Sequence, residues 1–103
     1  MIQLIVLYPQ PADVKKFESD YVEHLALLHA KANIPTEVKP YTVTKFLSSS
    51  VGAPPFYQMF TMPFESLDAV EAKMASLGMQ EVAAHANRIS TGGPPTILVG
   101  SQE

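Results

Sequence analysis

A chain of 103 residues reads as one domain spanning residues 1–103, with a real core but little interior to spare, since a domain of that size buries roughly two-thirds of its unfolded surface. With 47% hydrophobic and only 17% charged residues, some apolar surface is expected to meet another chain. A net charge of −3, with Lys15-Lys16 as the only adjacent basic pair, argues against nucleic acid, and the lack of cysteine excludes disulfides, thiolate catalysis and Cys-based metal centres.

Ile2–Tyr8 is a nearly continuous apolar run rich in β-branched residues, the pattern of a strand covered on both faces. It is too short to cross a membrane and lacks the basic flank of a signal peptide, so a soluble, cytoplasmic protein is expected. Pro9-Gln10-Pro11 ends the strand, and Asp13 is placed to cap a helix. Val14, Phe17, Tyr21, Leu25 and Leu28 recur at helical spacing, an inward stripe with His24 at its edge. Asn33-Ile34-Pro35 closes the helix, because a residue before proline resists helical angles.

Val38–Leu47 reads as a second strand with Pro40 at an irregular start, followed by a small-residue loop over 48–55. Phe56–Phe64 is a third strand that sets Phe60 and Met62 on one face and Tyr57 and Met59 on the other. Ser66 caps a second helix carrying Leu67, Val70, Met74 and Leu77. Gly78 interrupts it, and the pattern resumes through Met79, Val82, Ala86 and Ile89. After the turn Thr91-Gly92-Gly93-Pro94-Pro95, Thr96–Val99 forms the last strand. The order βαββαβ is the ferredoxin-like, α+β arrangement, with an antiparallel sheet and helices on one face. The bare face, apolar in part, predicts a homodimer joined sheet to sheet.

For chemistry, His24 is the foremost candidate as a general acid or base, since imidazole is readily tuned near neutral pH. The competing reading is a packed histidine holding a structural hydrogen bond. Tyr21, one turn earlier, could border the same pocket, with Tyr57 and Met59 as further lining. His29 and His85 are weaker candidates, one near a helix end and one among small residues. His24 and His29 diverge by about 140° around the helix, and no HExxH spacing or haem attachment motif exists, so neither metal nor cofactor is expected. No nucleophile elbow is present either.

The opening Met1-Ile2-Gln3-Leu4-Ile5-Val6-Leu7-Tyr8-Pro9, then Phe17 with Tyr21, His24 and Leu27, then Phe64-Glu65-Ser66-Leu67-Asp68-Ala69 and the late Thr91-Gly92-Gly93 follow one another in order along nearly the whole chain. In these features the chain resembles the EthD family, named for ethyl tert-butyl ether degradation, of the dimeric α/β-barrel superfamily. It departs from the family pattern at Ala26, where a proline is usual, and at Ile34-Pro35-Thr36, where a Pro-Gly pair is usual. The resemblance implies a ferredoxin-like subunit pairing with its twin into a barrel. It also implies a small apolar or aromatic ligand between helices and sheet. If the protein is an enzyme, a cofactor-independent oxidoreductase of monooxygenase type, an isomerase or a cyclase is implied, in catabolism or polyketide metabolism. The alternative is a non-catalytic binding or structural dimer that supports an oxygenase system.

Overall fold

A computed structural model describes all 103 residues. In chain order the elements are β1 (Ile2–Pro9), α1 (Val14–Lys31), β2 (Thr42–Lys45), β3 (Phe56–Phe64), α2 (Leu67–Met74), α3 (Leu77–Ile89) and β4 (Thr96–Ser101). The strands form one antiparallel sheet in the order β2-β3-β1-β4. This is the α+β, ferredoxin-like arrangement that the element order predicts.

Alternation along the strands decides which side is core. Leu4 and Tyr8 of β1, with Phe60 and Met62 of β3, are buried beneath Phe17, Tyr21 and Leu28 of α1 and Met79, Val82, Ala86 and Ile89 of α3. Ile5 and Leu7 point the other way, beside Met59 and Thr61 of β3 and Leu98 of β4 in the same register. No helix covers that face.

The helix ends follow local chemistry. Asp13 accepts a hydrogen bond from the Lys16 amide at 3.1 Å and caps α1, and Ser66 does the same for α2 through the Ala69 amide at 3.1 Å. At the other end of α1, Asn33 takes a left-handed φ of 58°, and the Ile34 amide donates back to the His29 carbonyl at 2.9 Å.

Three expectations are corrected. The helix break falls at Ala75-Ser76 rather than at Gly78, because the Ser76 hydroxyl accepts from the Met79 amide and starts α3 as a new helix. Gly78 lies inside the first turn of α3, where a Cβ would come within 2.9 Å of the Lys31 carbonyl oxygen. Strand β2 is shorter than Val38–Leu47, since Pro35 and Pro40 supply no amide and the Val38 amide turns back to the Pro35 carbonyl. Strand β4 runs on to Ser101, because β1 continues pairing with Gly100 and Ser101 through Gln3 and Ile2.

Gly78 makes a direct prediction. Gly78→Ala places a methyl group against backbone that cannot rotate away, so stability should fall by about 1–3 kcal/mol despite the better helix propensity of alanine. A thermal melt that rises on this substitution would contradict the close approach.

Candidate functional site

Helix α1 lays one side chain per turn onto the sheet: Phe17, Tyr21, His24 and Leu28 are all buried. Val14, expected in this stripe, is exposed, and Leu25 is half-buried. The buried stripe is therefore shifted toward His24: at about 100° per residue Phe17, Tyr21, His24 and Leu28 fall within roughly 60°, with His24 at the border of that arc. At 5% exposure its imidazole is a core group.

The ring has aromatic company on one side and a polar partner on the other. The Tyr21 ring lies 5.4 Å away, centroid to centroid. Across the helix interface, His24 Nδ1 and His85 Nδ1 are 2.9 Å apart, a hydrogen bond between two imidazoles. The two ring planes are within 6° of parallel with centroids 5.1 Å apart. That separation is close to the N···N distance plus the two ring radii, so the rings meet edge to edge in nearly one plane. Neither ring makes another hydrogen bond within the protein.

His24 also forms part of the wall of a cavity of about 40 Å³ between helices and sheet. Leu4, Val6, Phe60 and Met62 form its floor, and Leu28, Met79, Val82 and Ala86 its roof, with Tyr8 also in its wall. His24 contributes the only nitrogen base on this wall. Burial, and secondarily the neighbouring His85, depress its pKa to about 4, so the ring is neutral at physiological pH. Burial pushes the Tyr8 phenol well above its ordinary range and keeps it protonated.

The other candidate residues are distributed differently. Tyr21 touches His24 but its ring does not border the cavity, and its buried hydroxyl approaches the Gln58 side chain without a well-aligned hydrogen bond. Tyr57 departs from strand alternation. It is the extra residue of a bulge where Tyr8 pairs with Gln58 and Pro9 with Phe56, and the bulge turns its ring onto Phe17. Its hydroxyl donates to Glu18 at 2.6 Å, and the same carboxylate holds Lys45 at 2.7 Å. Burial opposes ionisation of Glu18, but hydrogen bonds from Lys45 and Tyr57 and the charge of Lys45 outweigh it and hold the carboxyl below its ordinary range. The Glu18 hydrogen bond, aided by burial, pushes Tyr57 up to about 12. Lys45 also bonds Gln58 and stands 4.9 Å from the centre of the Tyr57 ring. Tyr57 thus belongs to an ionic clasp at the far end of the sheet, not to the cavity. Met59 lies with Gln3, Ile5 and Thr61 on the uncovered face, because side chains alternate along β3 and Phe60 takes the inward position.

His85, only a weaker candidate in the sequence, matters most among the residues outside the expected site. Its signal was faint: an alanine-rich stretch, Ala83-Ala84-His85-Ala86, permits close helix contact but names no partner. Glu18, Lys45 and Gln58 were unmarked because their partners lie on other elements. No three His, Asp or Glu side chains converge in a way that could hold a metal ion. No helix is long and apolar enough to cross a membrane.

Among solved structures, an EthD family protein from Bacillus halodurans C-125 matches with a TM-score of 0.82 at 24% identity, covering 100% of this chain and 99% of that one. The fold is that of an EthD protein. An EthD-like protein from Ralstonia eutropha JMP134 matches at a TM-score of 0.65 and 23% identity, over 97% of this chain and 89% of its own. A dimeric ferredoxin-like protein of unknown function from Jannaschia sp. CCS1 matches at 0.69 and 13% identity, over 98% and 97%. No family model and no curated protein matches the chain. At these identities the likeness establishes the EthD-like fold, and chemistry must come from the residues.

A neutral buried histidine has a thermodynamic signature. Folded His24 binds a proton only near pH 4, whereas the ordinary value is 6.5, so unfolding takes up a proton between the two. Its contribution is complete above the unfolded value and is lost as pH falls, by an amount on the order of 3 kcal/mol. His24→Gln keeps a hydrogen-bonding side chain but cannot titrate, and should flatten this slope. Urea midpoints at about pH 7 and about pH 4.5 for both proteins would check it, and identical slopes would refute the assignment.

Proposed function

We propose that this protein binds a small apolar or aromatic metabolite in the helix–sheet cavity and that His24 transfers a proton to or from it. The observation that carries this reading is a neutral imidazole set into a wall otherwise made of carbon, sulfur and one phenol. Apolar walls with one or two polar groups are the usual composition of small-molecule sites. The cavity is smaller than an aromatic ring requires, but Met62, Met74 and Met79 border it, and unbranched thioether side chains can rotate to enlarge it.

The chemistry is proton abstraction. A C–H or O–H bond of the ligand breaks, its electron pair stays on the ligand, and the proton goes to His24 Nε2. Isomerisation, cyclisation and cofactor-independent oxygenation can each begin this way, and the protonated phenol of Tyr8 is the other polar group in the cavity wall. A second reading, a binding or structural dimer without catalysis, is favoured by one fact: the hydrogen bond to His85 already satisfies one His24 nitrogen.

The protein acts in this proposal as a homodimer through the uncovered sheet face. Ile5, Leu7, Met59 and Leu98 supply its apolar part, and Leu98 is 47% exposed in the single chain. The dimeric ferredoxin-like neighbour supports this reading.

Two experiments test the proposal. Titration of p-cresol followed by NMR should perturb His24 and the cavity methyl groups, and Ala86→Leu, which fills the space, should weaken binding at least about tenfold. No binding to wild type by p-cresol, with no small molecule co-purifying by mass spectrometry, would defeat the ligand site. With any turnover found on a co-purified ligand, His24→Ala should lower it about 100-fold or more, whereas a loss within about threefold favours the non-catalytic reading. For the dimer, light scattering should give twice the mass of one chain, and Leu98→Glu should halve it while leaving the fold intact.

A further inference from the structure

The hydrogen bond between His24 and His85 has its two ends in different environments. His24 borders the apolar cavity, while His85, half-buried, borders a groove on the outer surface between α1 and α3. Glu23 and Leu27 of α1 and Glu81, Ala84 and Arg88 of α3 line that groove. Glu81 is itself engaged by Lys31 at 3.0 Å. The other titratable groups around His24 are Tyr21 of α1, whose ring lies against it, and Tyr8 of β1 in the cavity wall, both phenols held protonated by burial.

We propose that His85 is a proton-relay residue, passing protons between His24 in the cavity and water in the α1–α3 groove. This rests on the acid–base role assigned to His24 above. An Nδ1···Nδ1 hydrogen bond between neutral imidazoles contains one proton, so the two rings carry opposite tautomers. In one state His24 is protonated at Nδ1 and bare at Nε2, and His85 is bare at Nδ1 and protonated at Nε2. When His24 Nε2 takes a proton from the ligand, the His24 Nδ1 proton moves along the in-line bond to His85 Nδ1, and the His85 Nε2 proton leaves to groove water. The ligand keeps the electron pair and the negative charge, water gains the proton, and the dyad stays neutral throughout. The dyad is left in the mirror tautomer, with a proton on His24 Nε2 that can be returned to a different ligand atom.

This route answers a difficulty that His24 alone would face. A lone buried imidazole that accepted a proton would have to hold a charge away from water, which burial penalises. Export through His85 removes the charge as it forms. The near-coplanar, edge-to-edge geometry is the arrangement in which the shared proton lies on the line between donor and acceptor.

The test is exchange of the His24 imidazole proton with solvent, followed by ¹⁵N NMR on the whole protein. In wild type the two rings should show opposite tautomers, one protonated at Nδ1 and one at Nε2, with rapid exchange. His85→Gln can still hydrogen-bond His24 Nδ1 but cannot pass a proton, so exchange at His24 should slow at least about tenfold while p-cresol affinity and melting temperature stay near wild type. Exchange as fast in His85→Gln as in wild type would overturn the relay, and so would two rings both protonated at Nε2, a measurement that needs no variant. Loss of p-cresol binding in wild type with His85-dependent exchange intact would strike the ligand site and leave the relay standing.

Discussion

Helix α3 begins so near the end of α1 that a single methyl group at Gly78 would press on the Lys31 carbonyl, and every feature of the cavity follows from that approach. It brings His85 within hydrogen-bonding distance of His24 and closes the roof over Phe60 and Met62 with Met79 and Val82. Charged side chains reinforce it from outside. Lys31 pairs with Glu81, and the Lys73 ammonium reaches the Ala32 carbonyl at 3.2 Å, where the helix dipole of α1 favours a cation. Exposed pairs of this kind add little energy singly. Their role is to fix how the two helices lie once packing has brought them together.

The first turn and the middle of α1 solve the problem of polar groups in an apolar interior in opposite ways. Near Phe17, the Glu18–Lys45 pair stays partly in water while aromatic rings flank the ammonium. The ions keep their charge because they keep some solvent. Near His24 the interior is drier, and two imidazoles satisfy each other instead. Tyr8 lies between these zones, packed edge-on against both Phe17 and Tyr21. The aromatic run from Tyr57 through Phe17 and Tyr21 to His24 therefore separates a charged region from an uncharged one.

Much of this was legible in the sequence, and the exceptions share a cause. Asp13 and Ser66 were readable as caps because a cap depends on its own next three residues. The sheet order followed from element order, and the resemblance carried by Phe17, Tyr21, His24 and Leu27 pointed to the fold that the structural neighbours bear out. His24 at the edge of the inner stripe was within reach of periodicity alone, though the exposure of Val14 was not, because a residue at the helix start is too near the end to be covered. The partner of His24 lies 61 residues away, and no local pattern encodes a contact made only when two helices dock. Tyr57 was misplaced for a related reason: a bulge depends on the register of two strands, which the sequence of one strand does not contain.

A second tight contact lies at the other end of α3. There the chain turns through Gly92, where a Cβ would sit 1.8 Å from the Gln10 carbonyl oxygen, and the Thr91 hydroxyl accepts from the Ala12 amide at 3.1 Å. Helix α3 is thus held against the start of α1 at one end and its finish at the other. The span between these fixed points sets the length of α3 in whole residues. Insertion or deletion of one residue within it would rotate His85 by about 100° about the helix axis and carry it off the line to His24. The loop over residues 46–55 has no such double constraint, so length variation among homologous chains should collect there and be absent from α3.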